Sequence, residues 1–157
     1  METKFAPSSR TSKESLVKFL NQINATPYVQ KIINALPHIA LIVDENRQIV
    51  FSNEHLLVAL GLQATDLIGQ RPGEALHCAN AWREPGGCGT SLHCETCGVV
   101  SALLLCLSKQ EKVSAEARVF TEHNGEQTAY DFKATASPFE SSRAAHGCFN
   151  TGRHKQR

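Results

Sequence analysis

The chain has 157 residues, 41% hydrophobic and 20% charged, with a net charge of +1. That length suits one domain with its ends, and the apolar content suits a globular core. The near-neutral balance gives no electrostatic footprint for nucleic acid. The longest apolar run, VVSALLLCL at 99–107, is too short to span a membrane. The opening METKFAPSSRTSKES has no apolar stretch of the kind a signal peptide carries. The expected compartment is therefore the cytoplasm, where six cysteines speak for metal or redox roles rather than disulfide staples.

Residues 1–14 are polar and rich in Ser and Lys, and read as disordered. Leu16, Phe19, Leu20 and Ile23 recur at helical spacing over 15–25, and Pro27 stops that helix. A second short helix fits 28–36, with Tyr28, Ile32, Ile33 and Leu36 as its stripe. These two helices suit either a dimer-forming linker or a cap packed on its own domain. The segment IALIV at 39–43 reads as a buried strand, DENR as a turn, and QIVFS at 48–52 as the next strand. Asp44 and Glu45 fall in that turn and are expected to be solvated. Asn53 can cap a helix over 54–61 that Gly61 ends.

A Cys-rich loop occupies 77–93, where Pro85, Gly86, Gly87 and Gly89 forbid a long helix. A helix is expected from about Ser91 to Ser108, with Val99, Val100, Leu103, Leu104 and Leu107 as its apolar face. Alternation at 113–120 and 127–136, joined at Asn124-Gly125, predicts a hairpin. After Pro138 the chain turns polar and basic, with Arg143, Arg153, Lys155 and Arg157. HGCFN is the only strand candidate there. The order predicts an α+β fold with an antiparallel sheet, helices grouped in the middle, and the Cys-rich loop between strands two and three. The expected divisions are a tail and helix at 1–27, a domain at 28–138 and a basic tail at 139–157.

Cys78, Cys88, Cys94 and Cys97 follow the spacing C-x9-C-x5-C-x2-C. Four thiols at this density can surround a tetrahedral zinc or an iron–sulfur cluster, and spacing does not separate the two. Reversible thiol chemistry and simple loop packing stay open beside them. Cys94 and Cys97 are expected at positions i and i+3 on a helix N-terminus, where the dipole favours thiolate. Cys106 lies nine residues beyond Cys97, about 13.5 Å along the helix and half a turn out of phase, so it reads as a core residue. Cys148 falls in the unassigned tail. His77 and His93 flank the cysteines as substitute ligands, although a solvated loop histidine is commoner. His38 and His55 read as element-end residues. Trp82 is expected to plug a small core within the loop. Arg71 and Glu74 near the loop base could pair, although a solvated surface is the commoner outcome and the one expected.

The residues ALPHIALIVDENRQIVFSN, the helix ending at Gly61 and DLIGQRPGEAL with its D-L-I-G at 66–69 resemble a PAS domain over roughly residues 28–138. The phrases RPGEALHC, PGGCGTS and the C-x2-C-G at Cys94–Gly98 are similar to a cysteine-rich subset of PAS domains in bacterial sensor proteins. The resemblance implies a sensory input or dimerisation module, with a pocket between the sheet and the middle helices. It also implies a signalling output partner of the histidine-kinase kind. The chain departs from the family pattern in two ways. The last sheet strand is not recognisable after Phe139, and no output domain follows. A haem-binding histidine on the 94–108 helix and the Asn-Cys-Arg stretch of flavin-binding PAS domains are both missing from this sequence.

No acid/base pair, nucleophilic triad or phosphate loop stands out, so no catalytic residue is assigned and no enzyme activity is expected. The reading is a PAS-like sensory or regulatory module using a Cys-ligated metal or cluster. Its rivals are a thiol redox protein or electron carrier working through the C-x2-C pair, and a structural dimerisation module.

Overall fold

A computed structural model describes residues 2–140 and 146–154. Of the basic residues assigned to the tail, Arg143, Lys155 and Arg157 lie outside the described residues. The elements run α1 (Lys13–Asn24), α2 (Val29–Asn34), β1 (Ile39–Asp44), β2 (Ile49–Ser52), α3 (Glu54–Leu60), α4 (Ala64–Leu67), α5 (Pro72–Ala75), α6 (Gly98–Lys109), β3 (Val113–His123), β4 (Glu126–Glu140) and β5 (His146–His154). Two short 3-10 turns, Ala79–Trp82 and Leu92–Thr96, lie between α5 and α6.

The five strands form one antiparallel sheet in the order β2-β1-β5-β4-β3. The β3–β4 hairpin closes at Asn124 (φ 52°) and Gly125 (φ 80°), the left-handed pair that a tight primed turn requires. The last strand is present. HGCFNTGRH, which alternation does not reveal, forms β5 and pairs with β1 on one side and β4 on the other.

Side chains alternate across β1, so the sheet has two covered faces. Leu41 and Val43 point into the main core with Leu56, Leu67, Leu103, Cys106 and Cys148. Ala40 and Ile42 point the other way, under Leu16, Phe19 and Ile23 of α1. Helix α1 is thus a cap on its own domain. Ser12 caps it by accepting from Ser15 N at 3.2 Å, and Phe19 packs on Phe139 with ring centroids 6.0 Å apart. Each of its three buried side chains contributes about 1.5–3 kcal/mol of transfer free energy. Only Ile33 of the expected 28–36 stripe is buried. Tyr28 is 70% exposed and Ile32 64%, because α2 is six residues long and turns one apolar edge to the sheet.

The N-terminal segment is ordered rather than disordered. Lys4 N donates to Thr90 O at 3.0 Å and Ala6 N to Gly89 O at 2.9 Å. Ala6 is buried, and the strap so formed leads directly into α1.

Candidate functional site

The expected single helix from 91 to 108 is two elements. Cys94 sits in the 3-10 turn Leu92–Thr96, and Cys97 is the N-cap of α6 with extended backbone. The break has a steric reason. A Cβ on Gly98 would lie 2.0 Å from the Glu116 carbonyl, so α6 starts where glycine lets it touch β3. Cys78 is held from two sides. Its N–H donates to Gly73 O at 2.8 Å, and it forms an isolated antiparallel bridge with Thr121 of β3. Cys88 lies in the loop, and its N–H donates to Glu74 Oε1 at 3.2 Å. Cys94 Sγ lies 3.5 Å from Ser91 Oγ.

These elements bring all four predicted cysteines together. Cys78, Cys88, Cys94 and Cys97 belong to one apolar cluster with Ala6, Ala81 and Val100. They also line one cavity of about 210 Å3. Gly73 makes room for it, since a Cβ there would stand 2.7 Å from Cys88 Sγ. As placed, the thiols form no ligand set. Among the described residues no group of three or more His, Cys, Asp and Glu side chains is arranged to hold a metal ion.

The electrostatics also differ from expectation. A helix start is expected to favour thiolate at Cys94 and Cys97; burial instead pushes Cys97 up, and it also raises Cys78 and takes Cys88 up to about 12. These thiols are protonated at neutral pH. His93 lines the cavity mouth but is exposed, and His77 is exposed with its ring 4.8 Å from that of His123. Trp82 is not the loop's plug. It is 66% exposed, and its neighbour Ala81 fills the inner position.

Arg71 and Glu74 are not on a solvated surface. Arg71 is 0% exposed. Its guanidinium donates to the carbonyls of Asn46 (3.0 Å), Gly86 (2.9 Å), Ser9 (2.8 Å), and, at 3.4 Å, Cys88 and Pro7. Buried Arg47 reaches Pro7 O at 2.9 Å and Cys88 O at 3.4 Å. Glu74 accepts from Arg71 N at 2.9 Å and from the Arg10 guanidinium. Burial pulls Arg71 down to about 10, with the cations Arg47 and Arg10 adding to the effect. Burial alone would raise Glu74; the hydrogen bonds from Arg10, Arg71 N and Cys88 N outweigh it and hold the carboxyl below its usual range.

This network ties the strap, the Cys88 loop and α5 into one unit. Its burial is not legible in the residue types alone. Its available signal was R-P-G-E, a helix start with Pro at the first position and Glu at the third. Asp44, expected to be solvated, is buried as well. It accepts from Asn46 N (3.0 Å), Gln48 N (2.8 Å) and the Thr11 hydroxyl, which fastens the strap to the β1–β2 turn.

A second cavity of about 350 Å3 lies between α3 and the hairpin, lined by Leu56, Leu60, Leu76, Thr121, Tyr130 and Phe132 among others. It is the space between sheet and middle helices that the sequence resemblance implied.

No protein-family model matches the chain, and no curated protein matches it either. Solved structures do. The PAS domain of nitrogen regulation protein NR(II) from Vibrio parahaemolyticus is 14% identical with a TM-score of 0.55, covering 83% of this chain and 100% of that one. The PAS domain of a protein from Colwellia psychrerythraea is 15% identical with a TM-score of 0.54, covering 80% and 92%. A variant of the protein Vivid is 16% identical with a TM-score of 0.54, covering 99% and 100%. At these identities the likeness is one of fold.

Proposed function

From the PAS fold, we propose that this chain is a non-enzymatic sensory or regulatory module of signal transduction that reads redox state or a small ligand at its four-cysteine pocket. The observation that carries the reading is the convergence of Cys78, Cys88, Cys94 and Cys97 in one cavity, under a loop tied to the strap that leads into α1. The similarity to PAS domains of sensor proteins supports the signalling role.

A change at the pocket has a short route outward. Gly86, Cys88, Gly89 and Thr90 all bond, through Arg71, Arg47 or directly, to units that include residues 4–9. Loosening that loop removes partners from the strap, and the strap is continuous with α1 on the outer face of the sheet. At the other end, Cys97 caps α6, which packs on β3, β4 and β5. Oxidation or ligation at the pocket therefore biases both α1 and α6. The partner we assign is an output domain or protein of the histidine-kinase kind, with a homodimer as the working form and the cytoplasm as the compartment. No helix among the described residues is long and apolar enough to cross a membrane.

The finer part of the proposal concerns the group held. Four thiols are a donor set that zinc or an iron–sulfur cluster takes. Burial holds Cys78, Cys88 and Cys97 as thiols and the four are not grouped for a metal, so loading requires proton release from those three and closure of the loop, and uptake rises with pH. Purification without oxygen, followed by metal analysis and an ultraviolet–visible spectrum, tests this part. About one equivalent of zinc or one cluster, lost in Cys94→Ser and Cys97→Ser, is expected. Substoichiometric zinc and iron together with freely titratable thiols would remove the metal and leave thiol redox sensing. A C-x2-C enzyme is the weaker alternative, because Cys94 is buried where an attacking thiol must meet its substrate.

A further inference from the structure

Two thiols outside that pocket face each other in the main core. Cys106 lies on α6 and Cys148 on β5, which pairs with β1 and β4 in the sheet. Both are fully buried, and Cys148 Sγ lies 2.9 Å from Cys106 Sγ across 42 residues of chain. Closing to a disulfide of about 2.05 Å needs roughly 0.9 Å of further approach. Cys148 stands opposite Pro138 in β4, which has no N–H to give the ladder, and next to Gly147, which carries no side chain. Pro138 therefore gives β5 no N–H bond at the position of its thiol, while β1 pairs with it there through Val43.

We propose that Cys106 and Cys148 form a redox modification site, converted by hydrogen peroxide into an intramolecular disulfide that fastens α6 to β5. One thiol, as thiolate, attacks a peroxide oxygen; the O–O bond breaks, giving a sulfenic acid and, with a proton, water. The second thiol attacks that sulfur, the S–O bond breaks, and the hydroxyl leaves as a second water. Both sulfurs are oxidised and one peroxide is reduced, so two thiols and one hydrogen peroxide give one disulfide and two waters. Burial raises the Cys148 thiol and shields both groups, so the first step occurs when β5 opens locally. The site therefore responds slowly, and its product persists. The inference is independent of what the four-cysteine pocket holds, although the helix it pins is the one Cys97 caps.

The test treats the whole chain with hydrogen peroxide at neutral pH, blocks thiols with N-ethylmaleimide, unfolds without reductant, blocks again, digests and maps peptides by mass spectrometry. The expected product is a linked peptide pair containing Cys106 and Cys148, two hydrogens lighter than the sum of its parts and separated by dithiothreitol. The oxidised protein should melt about 10 °C above the reduced one, the shift a loop of this length implies, and Cys106→Ala should show neither change. Mapping of the unsubstituted chain decides the matter even where that variant folds poorly. The proposal is overturned if Cys106 and Cys148 still label as free thiols after unfolding, or if Cys148 links only to Cys78, Cys88, Cys94 or Cys97.

Discussion

The substitution Arg71→Lys separates the charge at the loop base from the geometry that uses it. Arg71 serves five carbonyls, three of them at 2.8–3.0 Å, from Ser9, Gly86 and Asn46. A lysine keeps a cation but cannot spread one planar fork over three chain segments. It can keep one of the three short bonds and loses two. Charge-assisted bonds contribute about 1.5–2 kcal/mol each, so the variant should lose about 3–4 kcal/mol, part of it as carbonyls left buried without donors. That is a large share of a typical domain's stability of about 5–15 kcal/mol. Urea unfolding should show a lower midpoint with an unchanged slope. Hydrogen exchange should speed up at Ala6, Cys88 and Thr90, whose N–H bonds lie in the unit Arg71 holds. A loss below about 1 kcal/mol, or unchanged exchange in the strap, would refute the view that Arg71 joins strap to loop.

Further expectations follow from the same geometry. Gly73→Ala should crowd Cys88 Sγ and destabilise by about 1–3 kcal/mol through overpacking, read by thermal melting; a neutral result would mean the pocket yields freely. Glu74 has its folded pKa depressed, so its stabilisation is present above about pH 4.3 and fades as pH falls through the folded value. Glu74→Gln should therefore flatten the stability profile in that acid window, and an unchanged profile would contradict the assignment. Native alkylation of Cys88 should climb about tenfold per pH unit between pH 7 and 9, as expected for a thiol with a pKa of about 12; a rate already flat there would mean a thiolate. Trp82→Ala, at an exposed position, should change stability by less than about 0.5 kcal/mol, as measured by urea unfolding.

The sheet was readable where side chains alternate and turns carry their signature, as at Val113–His123 and Asn124-Gly125. It was unreadable at β5, because His, Gly, Asn and Arg have little strand preference of their own. Pairing on both edges imposes the conformation there. The cysteine pocket shows the same division. Spacing brought the four residues to notice, and the fold does gather them. The raised pKa of Cys78, Cys88 and Cys97 was not legible, since it depends on burial under Ala6, Ala81 and Val100, and Ala6 lies more than 70 residues away in sequence. Arg71 and Glu74 were misread for a related reason. A charged pair in a Gly- and Pro-rich stretch is ordinarily solvated, and only the strap across it makes it internal. Trp82 and Tyr28 erred the other way, as large apolar side chains left outside by short elements.

The central claim is that the state of the four-cysteine pocket is passed to the strap, α1 and α6. Hydrogen exchange measured on the reduced and oxidised protein, with and without zinc, tests it most directly. The account predicts changed protection at residues 4–9, at 86–90 and in the first turns of α1 and α6, abolished by Cys94→Ser with Cys97→Ser. Protection that changes only within 77–97, or not at all, would contradict it.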